Sequence, residues 1–151
     1  MNRLLVDTQA LIWFAEGSPS LSAQARGLID DRSRVQLASA ASLWEMAIKL
    51  AIKKLSLKAG TLRDFTRQLA ANDIDVLPVV GEDATAVADL PAGAHKDPFD
   101  RLIAAQCLRH DLTLVSVDSV FDAYGVRRVW WPTSRRRSDS PPRSARPLRR
   151  R

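Results

Sequence analysis

Asp7, Glu45, Asp100 and Asp118 are scattered through a chain of 151 residues, yet each stands just beyond an apolar, strand-like run or in the first turn of a helical one. In an open α/β sheet, ligands collect in the crevice outside the carboxyl ends of the strands, so acids delivered there by separate strand–helix units converge on one point. Converging carboxylates repel one another and need a divalent cation between them. Hard oxygen donors of this kind suit Mg²⁺ or Mn²⁺. The chemistry that follows is metal-assisted hydrolysis of a phosphodiester.

Each acid also has a local explanation. Asp7 and Asp118 fit as helix N-caps; Ser42 and Glu45 have the S-x-x-E capping-box spacing, and Glu45 could pair with Lys49 one turn on. Asp97, Pro98 and Asp100 make a helix start with a cap, a proline in the first position and an acid in the third. Capping alone does not explain why acids close both the first and the penultimate strands and open the two helices flanking that edge. The two roles are compatible, because a helix N-terminus favours the ionised carboxylate. Asp100 is the expected direct ligand, since a cap turns its side chain back onto the backbone, and Asp97 is the alternative.

Other reactive types carry less. His95, in a loop beside Lys96, reads as a surface residue or phosphate contact rather than a general base, and His110 as a helix C-terminal residue. Cys107, among Ala104, Ala105 and Leu108, reads as a buried, inert thiol. Trp13 and Trp44 fall in helices expected to pack, in the core or at a dimer interface. Lys96 or Arg101 could contact a phosphate at the mouth of the site.

The elements that must position these residues are visible as alternating periodicities. Leu4, Leu5 and Val6 form an apolar run without polar alternation, as in a strand buried on both faces. Further strand-like runs occupy residues 35–38, 76–80, 112–117 and 126–131. Helical patterns run through Trp13 and Phe14, through Leu21, Ala25, Leu28 and Ile29, and over residues 42–53, 61–71, 83–90, 99–110 and 120–124. Strands alternating with helices predict a mostly parallel sheet covered on both faces. The 42–53 helix is apolar around most of its circumference, with Glu45 and Lys49 on the remaining side, so it is expected to pack on more than one side and to meet a partner.

At 46% hydrophobic and 26% charged residues, the composition is that of one domain with one core, placed at residues 1–132. No apolar stretch reaches the ~18 residues of a membrane span, and the start does not read as a signal segment, so a cytoplasmic protein is expected. One cysteine excludes disulfides and thiolate metal sites. The net charge of +6 is uneven: residues 133–151 hold eight Arg and one Asp, which is +7 and leaves −1 for the rest. That Arg-, Ser- and Pro-rich tail cannot bury a core and is expected to be disordered.

Four blocks carry a resemblance: Asp7-Thr8-Gln9-Ala10-Leu11-Ile12-Trp13, Ser39-Ala40-Ala41-Ser42-Leu43-Trp44-Glu45, the run from His95 to Ala105 around Asp97-Pro98-Phe99-Asp100-Arg101, and Leu114-Val115-Ser116-Val117-Asp118. Together and in this order they resemble the motifs of PIN-domain nucleases, specifically the VapC-type toxins of bacterial toxin–antitoxin pairs. The resemblance implies a three-layer α/β/α domain, Mg²⁺-dependent endoribonuclease activity, a homodimer and a cognate antitoxin. It implies that Asp7, Glu45, Asp100 and Asp118 hold the metal, and Thr8 and Ser116 flank them. Gln9 stands where this subgroup often has His, and the Arg-rich tail lies outside the family pattern. A phosphorelay receiver is disfavoured because Ala38 to Ser42 and Asp118 occupy the places of its phospho-accepting Asp and late Lys. A non-catalytic RNA-binding module that uses the basic tail is the alternative.

Overall fold

Leu4, Leu5 and Val6 are buried because their strand, β1 (Arg3–Val6), lies in the middle of a five-stranded sheet. In the computed structural model, which describes residues 3–92 and 96–133, it is flanked by β2 (Val35–Ser39) and β4 (Thr113–Val115). The outer strands are β3 (Ile74–Leu77), beside β2, and β5 (Arg128–Val129), beside β4. The order is β3-β2-β1-β4-β5 and every pairing is parallel, with Leu5 in register with both Leu37 and Leu114. The chain builds outward from β1 to β3, then returns to the other side of β1. The crevice at that reversal, between β1 and β4, is where a parallel sheet offers a ligand site.

Alternation along the central strands sorts the core into two halves. Leu4, Val6, Ala38 and Val115 pack with α1 (Thr8–Glu16), α2 (Ala23–Asp30) and α4 (Leu62–Ala71), through Leu11, Phe14, Ile29, Phe65 and Leu69. Leu5, Leu37 and Leu114 point the other way, to Ile103, Ala104 and Cys107 of α6 (Pro98–His110) and to Phe121 and Tyr124 of a 3₁₀ turn, Ser119–Tyr124. Helices thus cover both faces, giving the expected α/β/α layering. Each fully buried leucine contributes roughly 1.5–3 kcal/mol. Among the described residues no helix is long and apolar enough to cross a membrane.

Several boundaries differ from the sequence reading. β3 begins at Ile74, not residue 76; it is an edge strand with Asp75 and Val76 exposed, and Pro78, which has no N–H for a ladder, follows its end. β5 shrinks to Arg128–Val129. The helix expected at 42–53 is α3 (Ala40–Ala51), capped by Ser39, whose Oγ accepts the Ala41 N–H at 3.0 Å. Ser42 is therefore inside the helix, and Glu45 is in its second turn rather than its first. Trp44 is 61% exposed, touching Phe99 edge-on, so it is not a core residue. Trp13 does pack, against Trp130 with ring centroids 5.9 Å apart. His95 and the tail beyond Thr133 lie outside the described residues.

One buried polar network has no counterpart in the sequence reading. Asp83, in α5 (Gly81–Ala86), is fully buried and contacts Arg109, His110 Nε2 (3.1 Å), Gln106 Nε2 (3.2 Å) and the Val80 N–H (3.1 Å). Gln106 continues the network, its Oε1 accepting from Ser39 Oγ at 2.5 Å and its amide donating to Pro78 O at 3.2 Å. Burial pushes the Asp83 carboxyl up, but the hydrogen bonds from Val80, Gln106, Arg109 and His110 outweigh it and hold it below the usual carboxylate range.

Candidate active site

Asp7 is the first residue past β1, and its N–H donates to Val115 O at 3.0 Å, carrying the ladder one step beyond the strand. That step places Asp7 beside Ser116. Its Oδ1 caps α1 by accepting the Thr8 N–H at 2.8 Å, while Oδ2 accepts from Ser116 Oγ at 2.7 Å. Ser116 Oγ in turn accepts the Asp118 N–H at 3.0 Å, so one buried hydroxyl aligns both acids. Asp118 caps the following 3₁₀ turn through the Val120 N–H at 3.0 Å.

The second acid arrives through α3. Thr8 Oγ1 donates to Ser42 Oγ at 2.8 Å, tying the start of α1 to α3 one turn before Glu45. Glu45 is buried and lies 3.5 Å from Lys49. On α6, Asp97 is the N-cap: its Oδ1 accepts the Phe99 N–H at 2.9 Å and the Asp100 N–H at 3.0 Å, with Pro98 at the first helical position. Asp100 follows in the first turn.

Asp7, Glu45, Asp97, Asp100 and Asp118 all line one cleft of about 460 Å³ at the carboxyl ends of β1 and β4. The convergence expected from the sequence is thus present at the level of the cleft. It is not a closed cage: among the described residues no three His, Cys, Asp or Glu side chains form a ready metal-holding group. Burial raises the Asp7 carboxyl, opposed by the Ser116 and Thr8 hydrogen bonds, and the charges of Glu45 and Asp118 raise it further. The donor set fits a hard divalent cation. It supplies only carboxylate and hydroxyl oxygens, and Asp7 already feels two other negative charges across the cleft.

Neither Lys96 nor Arg101 lines the cleft; Lys49 and Lys54 do. The i,i+4 spacing of Glu45 and Lys49 signalled one of them, and Lys54 had no local signal. Cys107 sits behind the site, its thiol pushed up to about 12 by burial and then by the charge of Asp7, which makes it no nucleophile at neutral pH.

Ser116→Ala tests the alignment. Removing a hydrogen bond to a candidate ligand raises the Asp7 carboxyl further and is expected to weaken divalent-ion binding roughly 10- to 100-fold, measured by calorimetric titration. Unchanged affinity would show that Ser116 only fills space.

Residues 4–126 match the sequence profile of the PIN domain. Two solved structures share the fold: VapBC2 from Rickettsia felis, bound to a DNA fragment from its promoter, at 13% identity and TM-score 0.61 over 84% of this chain and 97% of that one; and FitAcB from Neisseria gonorrhoeae, at 22% identity and TM-score 0.55 over 83% and 95%. No curated protein sequence matches the chain significantly.

Proposed function

Because the chain belongs to the PIN-domain family, whose members are nucleases, we propose that it is a Mg²⁺-dependent endoribonuclease of the VapC toxin type, held in check by a cognate antitoxin. The observation that carries this reading is the cleft in which Asp7, fixed by Ser116, faces the charges of Glu45 and Asp118 beside the first turn of α6. Asp7, Glu45, Asp100 and Asp118 would hold the metal, Mn²⁺ serving in place of Mg²⁺. Asp97, whose Oδ1 serves two backbone N–H groups, keeps its role as the cap. When bound, the ion supplies Lewis acidity to phosphodiester hydrolysis.

The protein side of the mechanism is positional. Ser116 and the Thr8 N–H stabilise the ionised form of Asp7 against its burial, keeping it competent as a ligand. The Thr8 to Ser42 bond fixes α3, and with it Glu45, against the end of β1. Lys49 offers a positive charge on the same wall for a phosphate.

The partners follow from the neighbours and one surface. Both structural neighbours are toxin–antitoxin complexes, which supports an antitoxin here. Trp44, Ile48 and Ile52 form an exposed apolar stripe at i, i+4 and i+8 along and just past α3, which supports self-association as a homodimer. We take residues 1–132 as the catalytic domain, the Arg-rich tail as a source of non-specific RNA affinity, and the cytoplasm as the place of action.

Incubating the purified chain with single-stranded RNA, and with DNA of the same sequence, tests the activity. RNA fragments are expected in Mg²⁺ or Mn²⁺ and none in EDTA. Intact RNA under every metal condition would overturn the reading and leave the basic-tail binding module in its place, and cleavage that EDTA does not stop would overturn the metal dependence.

A further inference from the structure

The acidic cleft does not end at its acids. A second depression, about 430 Å³, is lined by Leu50, Lys53, Lys54, Leu55 and Ser56, and it shares Lys54 and Leu55 with the first. The two depressions adjoin at Lys54 and Leu55, the first lined by the carboxylates and the second by Lys53 and Lys54. The lysines differ from six arginines of the fold. Arg32, Arg34, Arg67, Arg109, Arg127 and Arg128 are each committed to an Asp, whereas Lys53 and Lys54 are exposed and have no carboxylate partner among the described residues.

Their placement is fixed by the backbone. After α3 the Lys54 N–H returns to Lys49 O at 2.8 Å and the Lys53 N–H to Leu50 O at 3.2 Å, the paired bonds of a Schellman ending. Lys53 occupies its left-handed position with φ 58°, where glycine is the favoured residue. A lysine here carries a conformational cost that a local preference would avoid.

We propose that Lys53 and Lys54 form a phosphate track that holds the stretch of a single nucleic-acid strand flanking the bond cut in the acidic cleft. The proposal rests on the nuclease reading for the identity of the polymer. A polyanion lying across mutually repelling carboxylates needs compensating charge nearby, and these two ammonium groups supply it on the side where α3 ends. The strand is therefore gripped asymmetrically, and the phosphates on the lysine side contribute more to affinity than those on the other.

The test uses the full chain, a fluorescein-labelled 15-nucleotide RNA, EDTA, and a gel check that the RNA stays intact. Each single-strand phosphate contact contributes about −0.7 to the slope of log K against log salt, so Lys53→Gln with Lys54→Gln is expected to flatten it by about 1.4 and to weaken binding about 20-fold at 0.1 M salt. Arg63→Gln with Arg67→Gln, the same charge change on exposed α4 positions, serves as the control and should change neither. Lys53→Gly separates grip from folding: it should keep or raise the melting temperature while weakening RNA binding.

A falling slope supports the track even if the chain cuts nothing, in which case only the hydrolysis reading fails. RNA cleavage with an unchanged slope in the lysine variant overturns the track and leaves hydrolysis standing. Loss of affinity for a poly-glutamate peptide without loss of RNA affinity overturns it in favour of an acidic protein partner.

Discussion

Asp7→Asn is expected to lower RNA cleavage by roughly two to three orders of magnitude, the scale for removing one preorganised electrostatic group, while raising the melting temperature of the metal-free protein. Asn retains a cap acceptor for the Thr8 N–H, so the local fold survives. The stability gain follows from the raised carboxyl. Its folded-state value lies above the ordinary 3.8, so ionising Asp7 costs stability in the folded protein. The gain from Asn is therefore absent below that ordinary value, grows as pH rises through the folded-state value, and is complete once Asp7 is fully ionised. Saturating Mg²⁺ should invert the order, because an ion that binds only the native wild type stabilises it by mass action. Thermal melts of both proteins in EDTA and in Mg²⁺, at acid and neutral pH, check each part. Full activity in the variant would remove Asp7 from the site, and a lower melting temperature in EDTA would show that its hydrogen bonds outweigh its burial.

Asp83→Ala carries the largest expected loss of stability outside the cleft. It removes the only carboxylate of a network that holds Gln106, Arg109, His110 and the Val80 N–H. Removing one partner of a buried ion pair costs about 3–5 kcal/mol, and the partial exposure of Arg109 and His110 places this case near 3 kcal/mol. For a chain of this size that corresponds to roughly 10 °C in melting temperature. The depressed Asp83 carboxyl stabilises the fold above its ordinary value of 3.8, and that stabilisation is lost as pH falls through the still lower folded-state value. The gap between wild type and variant in urea melts should thus be full at pH 7 and close in strong acid. Equal stability at pH 7 would mean that Arg109 and His110 find water as readily as they found Asp83.

The parts legible in the sequence were those written in consecutive residues. The run Leu4, Leu5, Val6 followed by Asp7 announced a buried strand closed by a cap, and Asp97-Pro98-Asp100 announced the start of α6, because period and capping chemistry act over a few positions. Strand order was not legible, since pairing β1 with both β2 and β4 is a long-range decision. The S-x-x-E spacing at Ser42 misled for the same reason. Ser39 takes the cap, and Ser42 is drawn instead to Thr8, 34 residues away. Asp83 and Gln106 meet across 23 residues with no local trace. The acids that line the cleft were legible because the resemblance and the strand ends pointed to the same positions. The cleft-lining Lys54 was missed because its neighbours in space come from other elements.

The bond between Asp7 and Ser116 spans 109 residues, and the central strand that carries Asp7 completes its pairing only when β4 is made. At about 5–20 residues per second, roughly 5–20 s separate the synthesis of the first acid from that of the serine that aligns it. A ribosome thus extends the chain past β4 before it has built a working centre. If the chain cuts RNA, this delay spares the machine that makes it: nascent chains arrested before residue 113 should show no cleavage, and those released after β5 should gain it in one step.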